Sequence, residues 1–393
     1  MFTAAEQHPL FSIAAFPAGV TRWQNPYFTL FHAALGKRGI SVSDDLEIDL
    51  NWIEAHGDRV DAVHLHWPEY YWRRHFAGTS RLQRAARASD SLLRLHRFVR
   101  AARRRRVQCI WTLHNLEPHE GAYRWDRYGY RLLAHDCDLV ICHSQSAARD
   151  VRDTYRPRGR VVVMPIGDPA PAYPRARSRD EVLAELHLDP QRPVVSCLGR
   201  LRPYKGLDVA CGAVERLNGR VQLIIGGARD GLLDASPIFA AIGRMSGVVI
   251  DRELTDQEFA DLTAASDAIL LPYRAITGSS ALLSALGLGR GVVTSDLPYF
   301  REILAGEPEA GMVVSGWDTA SWANALLEYL ECPAAVRNRA ALRLAARYHW
   351  DRCVEPLVDA LGIRTGAGAG RLPTAAAAGR LHTQCSSAPT AVS

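Results

Sequence analysis

Two cations and a turn of small residues carry the clearest chemistry in this chain. In GRLRPYKGLD, Gly199 to Asp208, Arg200 and Lys205 stand just beyond an apolar run, Pro193 to Leu198. In LLPYRAITGSSALLSALGLGRGVVTSD, Leu270 to Asp296, a second apolar strand, Ala268 to Leu271, leads past Tyr273 into Thr277-Gly278-Ser279-Ser280 and a small-residue helix. Ligands of open parallel sheets bind outside the strand ends. Arginine offers a bidentate fork and lysine a mobile point charge. The first N–H groups of a helix donate to a capping side-chain oxygen or to a phosphate oxygen by the same physics. A diphosphate is therefore the expected ligand of Arg200, Lys205, Tyr273, Thr277, Gly278, Ser279 and Ser280. The plainer alternatives are solvated charges and an ordinary N-cap.

A second constellation lies in the first half. His114 follows the apolar run Gln108 to Leu113, so it should project from a strand end, with Asn115, Glu117, His119 and Glu120 just beyond. His64, His66, Trp67, Glu69, Tyr70, Tyr71 and Trp72 crowd another strand end. Mixed polar and aromatic groups directly after a strand suit a wall that stacks sugars, although aromatic clusters are often core. A group transfer that inverts its reaction centre needs a base for the acceptor hydroxyl, and His or Glu can serve. His114, Glu117, Glu120 and Glu69 are the candidates, and the spacing does not choose among them. Neither HExxH nor a metal-ligand cluster is found, so no metal or other cofactor is expected.

The elements that must hold these groups alternate. Short β-branched runs are separated by helical patterns, which predicts parallel α/β architecture. Strands are expected at Phe11–Phe16, Ala62–His66, Gln108–Leu113, Leu139–His143 and Val161–Pro165, then, after a Pro- and Arg-rich linker, 167–180, at six further runs from Val194 to Val314. The reading is two Rossmann-like doubly wound domains facing each other across a cleft. Residues 1–170 would take the acceptor and 171–363 the nucleotide, with the final helix able to cross back. Residues 364–393, mostly Ala, Gly, Ser and Thr, are expected to be a disordered tail. At 393 residues, 48% hydrophobic and 23% charged, the chain fits a two-domain globular protein. A net charge of +5 falls well short of a nucleic-acid footprint. Eight scattered cysteines without a CxxC pair suggest buried thiols in a reducing cytoplasm. No signal peptide and no membrane span are expected.

The residues resemble a family. GRLRPYKG, SDAILLPYR, TGSSALLSALGLGRGVV and SDLPYFRE resemble the nucleotide-sugar domain of GT-B glycosyltransferases, close to bacterial exopolysaccharide enzymes of the GT4 type. NPYFTLFHAAL, VHLHWPEYYW and IWTLHNLEPHE resemble the narrower group that includes xanthan-type GDP-mannose:glycolipid β-mannosyltransferases. The resemblance implies transfer of a hexose, mannose first, to a polyprenyl-diphosphate-linked or other lipid-linked glycan. It implies a site role for a histidine at the position of His114, and it places Asn25, Tyr27, His66, Trp67 and Asn115 on the acceptor side. Two features depart from it. Ile276 and Ser284 stand where many relatives carry glutamates, and the usual glycine-rich loop after the first strand is replaced by FPAGVTRWQNPY. A retaining UDP-sugar hexosyltransferase and a catalytically idle GT-B subunit therefore remain alternatives.

Arg73 to Arg106 holds twelve arginines and one acid, Asp90. With Leu82, Leu92, Leu93, Leu95, Phe98 and Val99 it reads as a basic amphipathic helix suited to an anionic membrane surface. A solvated helix in an arginine-rich chain is the alternative. The expected location is the cytoplasm, with peripheral attachment to the inner face of the cell membrane as the option this helix offers. No nucleic-acid partner is expected, because single-strand binders interleave aromatics through their basic stretch.

Overall fold

The computed structural model describes residues 9–19, 26–73, 79–117, 123–231, 233–234, 236–245 and 247–363. Asn25, His119, Glu120 and the segment 364–393 lie outside the described residues. Among the described residues, twelve strands form two six-stranded sheets whose pairings are all parallel. The first sheet contains β1 (Phe11–Phe16), β2 (Ile40–Ser43), β3 (Ala62–His66), β4 (Gln108–Leu113), β5 (Leu139–Cys142) and β6 (Arg160–Val163), ordered β2-β1-β3-β4-β5-β6. The second contains β7 (Val194–Leu198), β8 (Gln222–Gly226), β9 (Gly247–Ile250), β10 (Ala268–Leu271), β11 (Val292–Ser295) and β12 (Gly311–Val314), ordered β12-β11-β10-β7-β8-β9.

Both sheets reverse strand order once, between β1 and β3 in the first and between β7 and β10 in the second. Those are the points where an open α/β sheet leaves a crevice at its strand ends. Strands covered by helices on both faces must be apolar on both faces. Accordingly, β3, β5, β7, β8, β10 and β11 are buried at every position. The expected strands stand, with ends shifted by one or two residues. The strand absent from the sequence reading, β2, is a four-residue edge strand with mixed burial. Such a run is too short to show a period.

The helix Arg81–Arg104 corrects one expectation. Its apolar stripe does not face a membrane. Leu92, Leu95, Phe98 and Val99 are buried in the core beneath the first sheet. The helix packs on β4 and on the helices Leu50–His56, Glu69–Arg73 and Arg124–Asp136. Of the leucines singled out, only Leu82 and Leu93 are exposed. The arginine face remains in solvent. The helices Trp350–Cys353 and Glu355–Ala360 follow the second sheet in sequence, yet they pack on Pro26–Gly36 and β6 of the first half. Lys37 pairs with Asp351 and Arg38 with Glu355 across that junction.

Candidate active site

The two crevices open onto one cleft. A cavity of about 220 Å³ is walled by Tyr27, Glu69, His114 and His143 from the first half and by Gly278 and Ser280 from the second. A larger space of about 800 Å³ lies beside it, lined by Gly199, Arg200, Gly227, Glu253 and Asp256, with Tyr173 stacked on Phe259. The two spaces share Trp67, Tyr70 and Arg202.

On the second-half side, Gly206 has φ 62° and a Cβ there would lie 2.0 Å from the Pro272 carbonyl, so only glycine permits the turn. That turn follows Lys205, whose side chain is buried. Its Nζ donates to Leu198 O at 2.8 Å and stands 5.7 Å from the Tyr273 ring centroid. Burial holds the Lys205 pKa down at about 8. Nζ sits 3.3 Å from the place a Gly199 Cβ would occupy, directly behind the wall of the larger space. Tyr273 forms the floor under Lys205 and does not line either cavity, because its ring is packed against Tyr204 and Phe300. Arg200 is exposed and lines the larger space.

The Thr277–Ser280 turn divides its work. The Thr277 hydroxyl donates to His114 O at 2.6 Å, tying the two halves together. Ser279 Oγ accepts from Leu282 N at 3.1 Å as the N-cap of the helix Ser280–Gly287. Gly278 and Ser280 line the small cavity. A Cβ at Gly278 would come within 3.0 Å of Ile166 and 3.3 Å of His143 Cβ, so a side chain there would push the halves apart. Ser284, one of the two positions lacking a glutamate, is buried with its Oγ 3.4 Å from Tyr173 OH. Ile276 is packed against the core.

The first-half wall is aromatic, and its imidazoles carry no charge. His66 Nδ1 and His114 Nε2 are 3.0 Å apart, and His64 Nε2 lies 2.7 Å from Thr112 Oγ1. Burial, followed by mutual repulsion, pushes the pKa values of His64, His66 and His114 well below the ordinary imidazole range. His143, with Nδ1 2.9 Å from Met164 O, is held near 4 by burial. These rings are neutral at physiological pH. Tyr27 is buried, with its ring edge-on to His66, His114 and His143. Trp67 adopts φ 40°, an uncommon conformation for a bulky residue, and this turns its ring flat onto His114 with centroids 4.1 Å apart. Asn115 lines the small cavity beside them.

Glu69 is the carboxyl group in this cavity. It is buried, and its Oε2 accepts from Tyr130 OH at 3.1 Å. Burial outweighs the Tyr130 bond and the nearby Arg73, raising its pKa to about 7. Glu117 is elsewhere. It is exposed and pairs with Arg127 at 3.1 Å, because the chain leaves the cleft after Asn115. Sequence reasoning missed Arg202 and His143. The signal for Arg202 was alternation: Leu201 is buried and bridges to Arg229 in an extended segment, so residues 200 and 202 share the opposite side. For His143 it was position, one residue beyond β5.

Comparison with known proteins bears on both halves. Residues 192–332 match the family described as Glycosyl transferases group 1, and residues 55–167 match Glycosyltransferase Family 4. A D-inositol 3-phosphate glycosyltransferase of Nocardia farcinica is 26% identical over 268 residues, 62% of this chain and 58% of that protein. An alpha-maltose-1-phosphate synthase of Mycolicibacterium smegmatis is 29% identical over 270 residues, 63% and 69% of the two chains. The matched region thus spans a little over half the length of the D-inositol 3-phosphate glycosyltransferases. Among solved structures, sucrose-phosphate synthase from Thermosynechococcus elongatus superposes with a TM-score of 0.67 at 15% identity, covering 89% of this chain and 98% of that one. Anabaena HepE in complex with UDP-glucose gives 0.64 at 15% identity, covering 90% and 99%. At this identity the likeness is one of fold, and the fold is GT-B.

Proposed function

We propose that this chain, a glycosyltransferase (EC 2.4) of group 1 and family 4 with the GT-B fold, moves a hexosyl group from a nucleoside-diphosphate sugar to a hydroxyl of an acceptor bound in the cleft. The observation that carries this reading is the pair of joined cavities. The larger suits a nucleoside, with Tyr173 and Phe259 on its wall. The smaller suits one sugar ring. The diphosphate then falls at the seam, between Arg200 on the rim of the larger space and the start of the helix Ser280–Gly287 in the smaller. Lys205 would exchange the Leu198 carbonyl for a phosphate oxygen. Side chains and a helix N-terminus, and no metal, meet the charge of the departing diphosphate in this scheme.

Glu69 is the group suited to take the acceptor proton, since a base works best with a pKa near the operating pH. The neutral imidazoles of His66, His114 and His143 are suited to hydrogen-bonding sugar hydroxyls. The fold shared with a UDP-glucose complex supports a UDP-sugar donor. The HWPE and LHN motifs support a second reading, in which GDP-mannose is the donor and a polyprenyl-diphosphate-linked oligosaccharide is the acceptor, in exopolysaccharide or glycolipid synthesis. In that reading the arginine face of Arg81–Arg104 would rest on an anionic membrane from the cytoplasmic side. No helix among the described residues is long and apolar enough to cross a membrane.

Thermal shift against UDP-, GDP- and dTDP-sugars tests the donor. A ligand held at about 100 times its Kd adds roughly 2.7 kcal/mol to the folded state. One nucleotide series should raise the melting temperature. The absence of a shift with every one of them would sink the donor site, and a GDP-selective shift would favour the second reading.

A further inference from the structure

We propose that Arg202, aimed by Asp230, is a catalytic cation that meets the negative charge developing on the sugar-linked phosphate as the donor bond breaks. The inference rests on the donor reading above and assigns a residue to its critical step.

Position is the first argument. Among the described residues, Arg202 is the one lysine or arginine that lines the small cavity, and it lines the larger space as well. A nucleotide sugar spanning the two spaces must pass its diphosphate through the region they share. The other shared side chains, Trp67 and Tyr70, carry no charge.

Fixation is the second. The backbone around Arg202 is tied on both sides: Leu201 N donates to Ala228 O at 2.9 Å and Asp230 N to Leu201 O at 2.9 Å. Arg202 Nε lies 3.3 Å from Asp230 Oδ2, with the two side chains only 21% and 16% exposed. This contact is an ion pair and not a hydrogen bond from Nε, so the Asp230 carboxylate draws the guanidinium toward itself by charge. Asp230 is thus a positioning residue. Lys205, by contrast, is tethered to Leu198 O behind the Gly199 wall, and Arg200 lies on the exposed rim of the nucleoside space. Arg202 is the cation already at the seam.

The chemistry follows. The bond between the anomeric carbon and the phosphate oxygen breaks with its electron pair going to that oxygen. The acceptor oxygen forms a bond to the same carbon, and its proton leaves to the base. The new charge is therefore on the phosphate next to the sugar, and a prepositioned cation there is worth more in the transition state than in the ground state.

The experiment uses the whole chain and three variants, Arg202→Ala, Arg202→Lys and Asp230→Asn. It measures turnover with the donor found by thermal shift and affinity for the matching nucleoside diphosphate and monophosphate. Arg202→Ala should lower kcat by about 10²-fold or more. It should also remove about tenfold of the preference for diphosphate over monophosphate. Arg202→Lys should recover part of both, and Asp230→Asn should lower kcat about tenfold through loss of aim while diphosphate affinity holds within about threefold. Wild-type turnover and an unchanged diphosphate preference in Arg202→Ala would overturn the assignment of Arg202, and an unchanged kcat in Asp230→Asn would overturn the aiming role. A wild-type protein that binds nucleoside mono- and diphosphates equally would instead overturn the donor reading beneath both.

Discussion

The two walls of the cleft are built on the same kind of sheet and have opposite chemistry. The first-half wall ends its strands in imidazoles and aromatic rings that burial keeps neutral and, among the described residues, one carboxyl, Glu69, whose pKa is raised to about 7. The second-half wall ends its strands in cations, tight glycine turns and a helix start. The contrast separates two tasks. Neutral hydrogen-bonding groups can orient a polyol and exchange a proton without repelling it, whereas a leaving diphosphate needs fixed positive charge. Between the halves, Thr277 donates to His114 O and Glu302 accepts from the N–H groups of Gln145 and Ser146, beside an apolar cluster to which both halves contribute.

The sharpest way to break this division is at Glu69. Glu69→Gln should cut turnover by about 10²-fold or more while nucleotide binding persists. The wild-type rate should rise with pH to a plateau above about 7, as the carboxyl ionises, and the variant should lose that limb. Stability gives an independent reading with a definite sign. Because the folded pKa lies above the ordinary 4.5, the native state holds its proton longer than the unfolded chain. Stability attributable to Glu69 therefore falls as pH rises from about 4.5 to about 7, by up to on the order of 3 kcal/mol, and Glu69→Gln should abolish that slope. Undiminished turnover in Glu69→Gln would move the proton transfer to the departing diphosphate itself, the retaining route.

On the opposite wall the expected effects are smaller and fall on binding. Arg200→Ala and Lys205→Met should each weaken nucleoside-diphosphate affinity by about tenfold or more, by removing a charge-assisted hydrogen bond. Lys205 adds a pH signature. Its pKa is lowered to about 8, so the cation is present below that pH and lost above it. Diphosphate affinity in the wild type should fall as pH rises through 8, and Lys205→Met should flatten the fall. Calorimetry showing wild-type affinity and pH dependence in both variants would remove the anion site from this wall.

The smallest effect is expected on the outer face of the first half. Arg97, Arg100 and Arg104 are exposed on the helix Arg81–Arg104, whose apolar stripe is buried in the core. Any docking to anionic vesicles should therefore be purely electrostatic. It should vanish as salt shortens the screening length below about 8 Å, and it should weaken several-fold when the three arginines become glutamine. Vesicle binding that survives high salt would show that apolar insertion contributes after all.

How much of this was legible depends on the range of the interactions involved. Alternating apolar runs and helical periods revealed eleven of the twelve strands. The parallel α/β class, and the placement of Arg200, Gly278, Ser280, Trp67, His114 and Asn115 near strand ends, also followed from local order. Those features depend on neighbours within a few residues, where periodicity and turn chemistry operate. Other expectations needed the third dimension. Glu117 and Glu69 are both carboxylates a few residues past a strand, yet one pairs with Arg127 in solvent and the other is buried against Tyr130. Nothing local distinguishes them.

The sequence by itself determined the fold class and the two groups of strand-end residues, because side-chain period and composition are properties of the chain. Only the tertiary structure decided that the arginine helix spends its leucines on the core, that Lys205 is tethered behind Gly199 while Arg202 reaches the seam, and that His64, His66, His114 and His143 stand neutral. The physical reason is the same in each case. Burial and electrostatic environment are set by residues distant in sequence, and desolvation, the largest cause of the pKa shifts of Glu69, Lys205 and these histidines, exists only once the surrounding elements have packed.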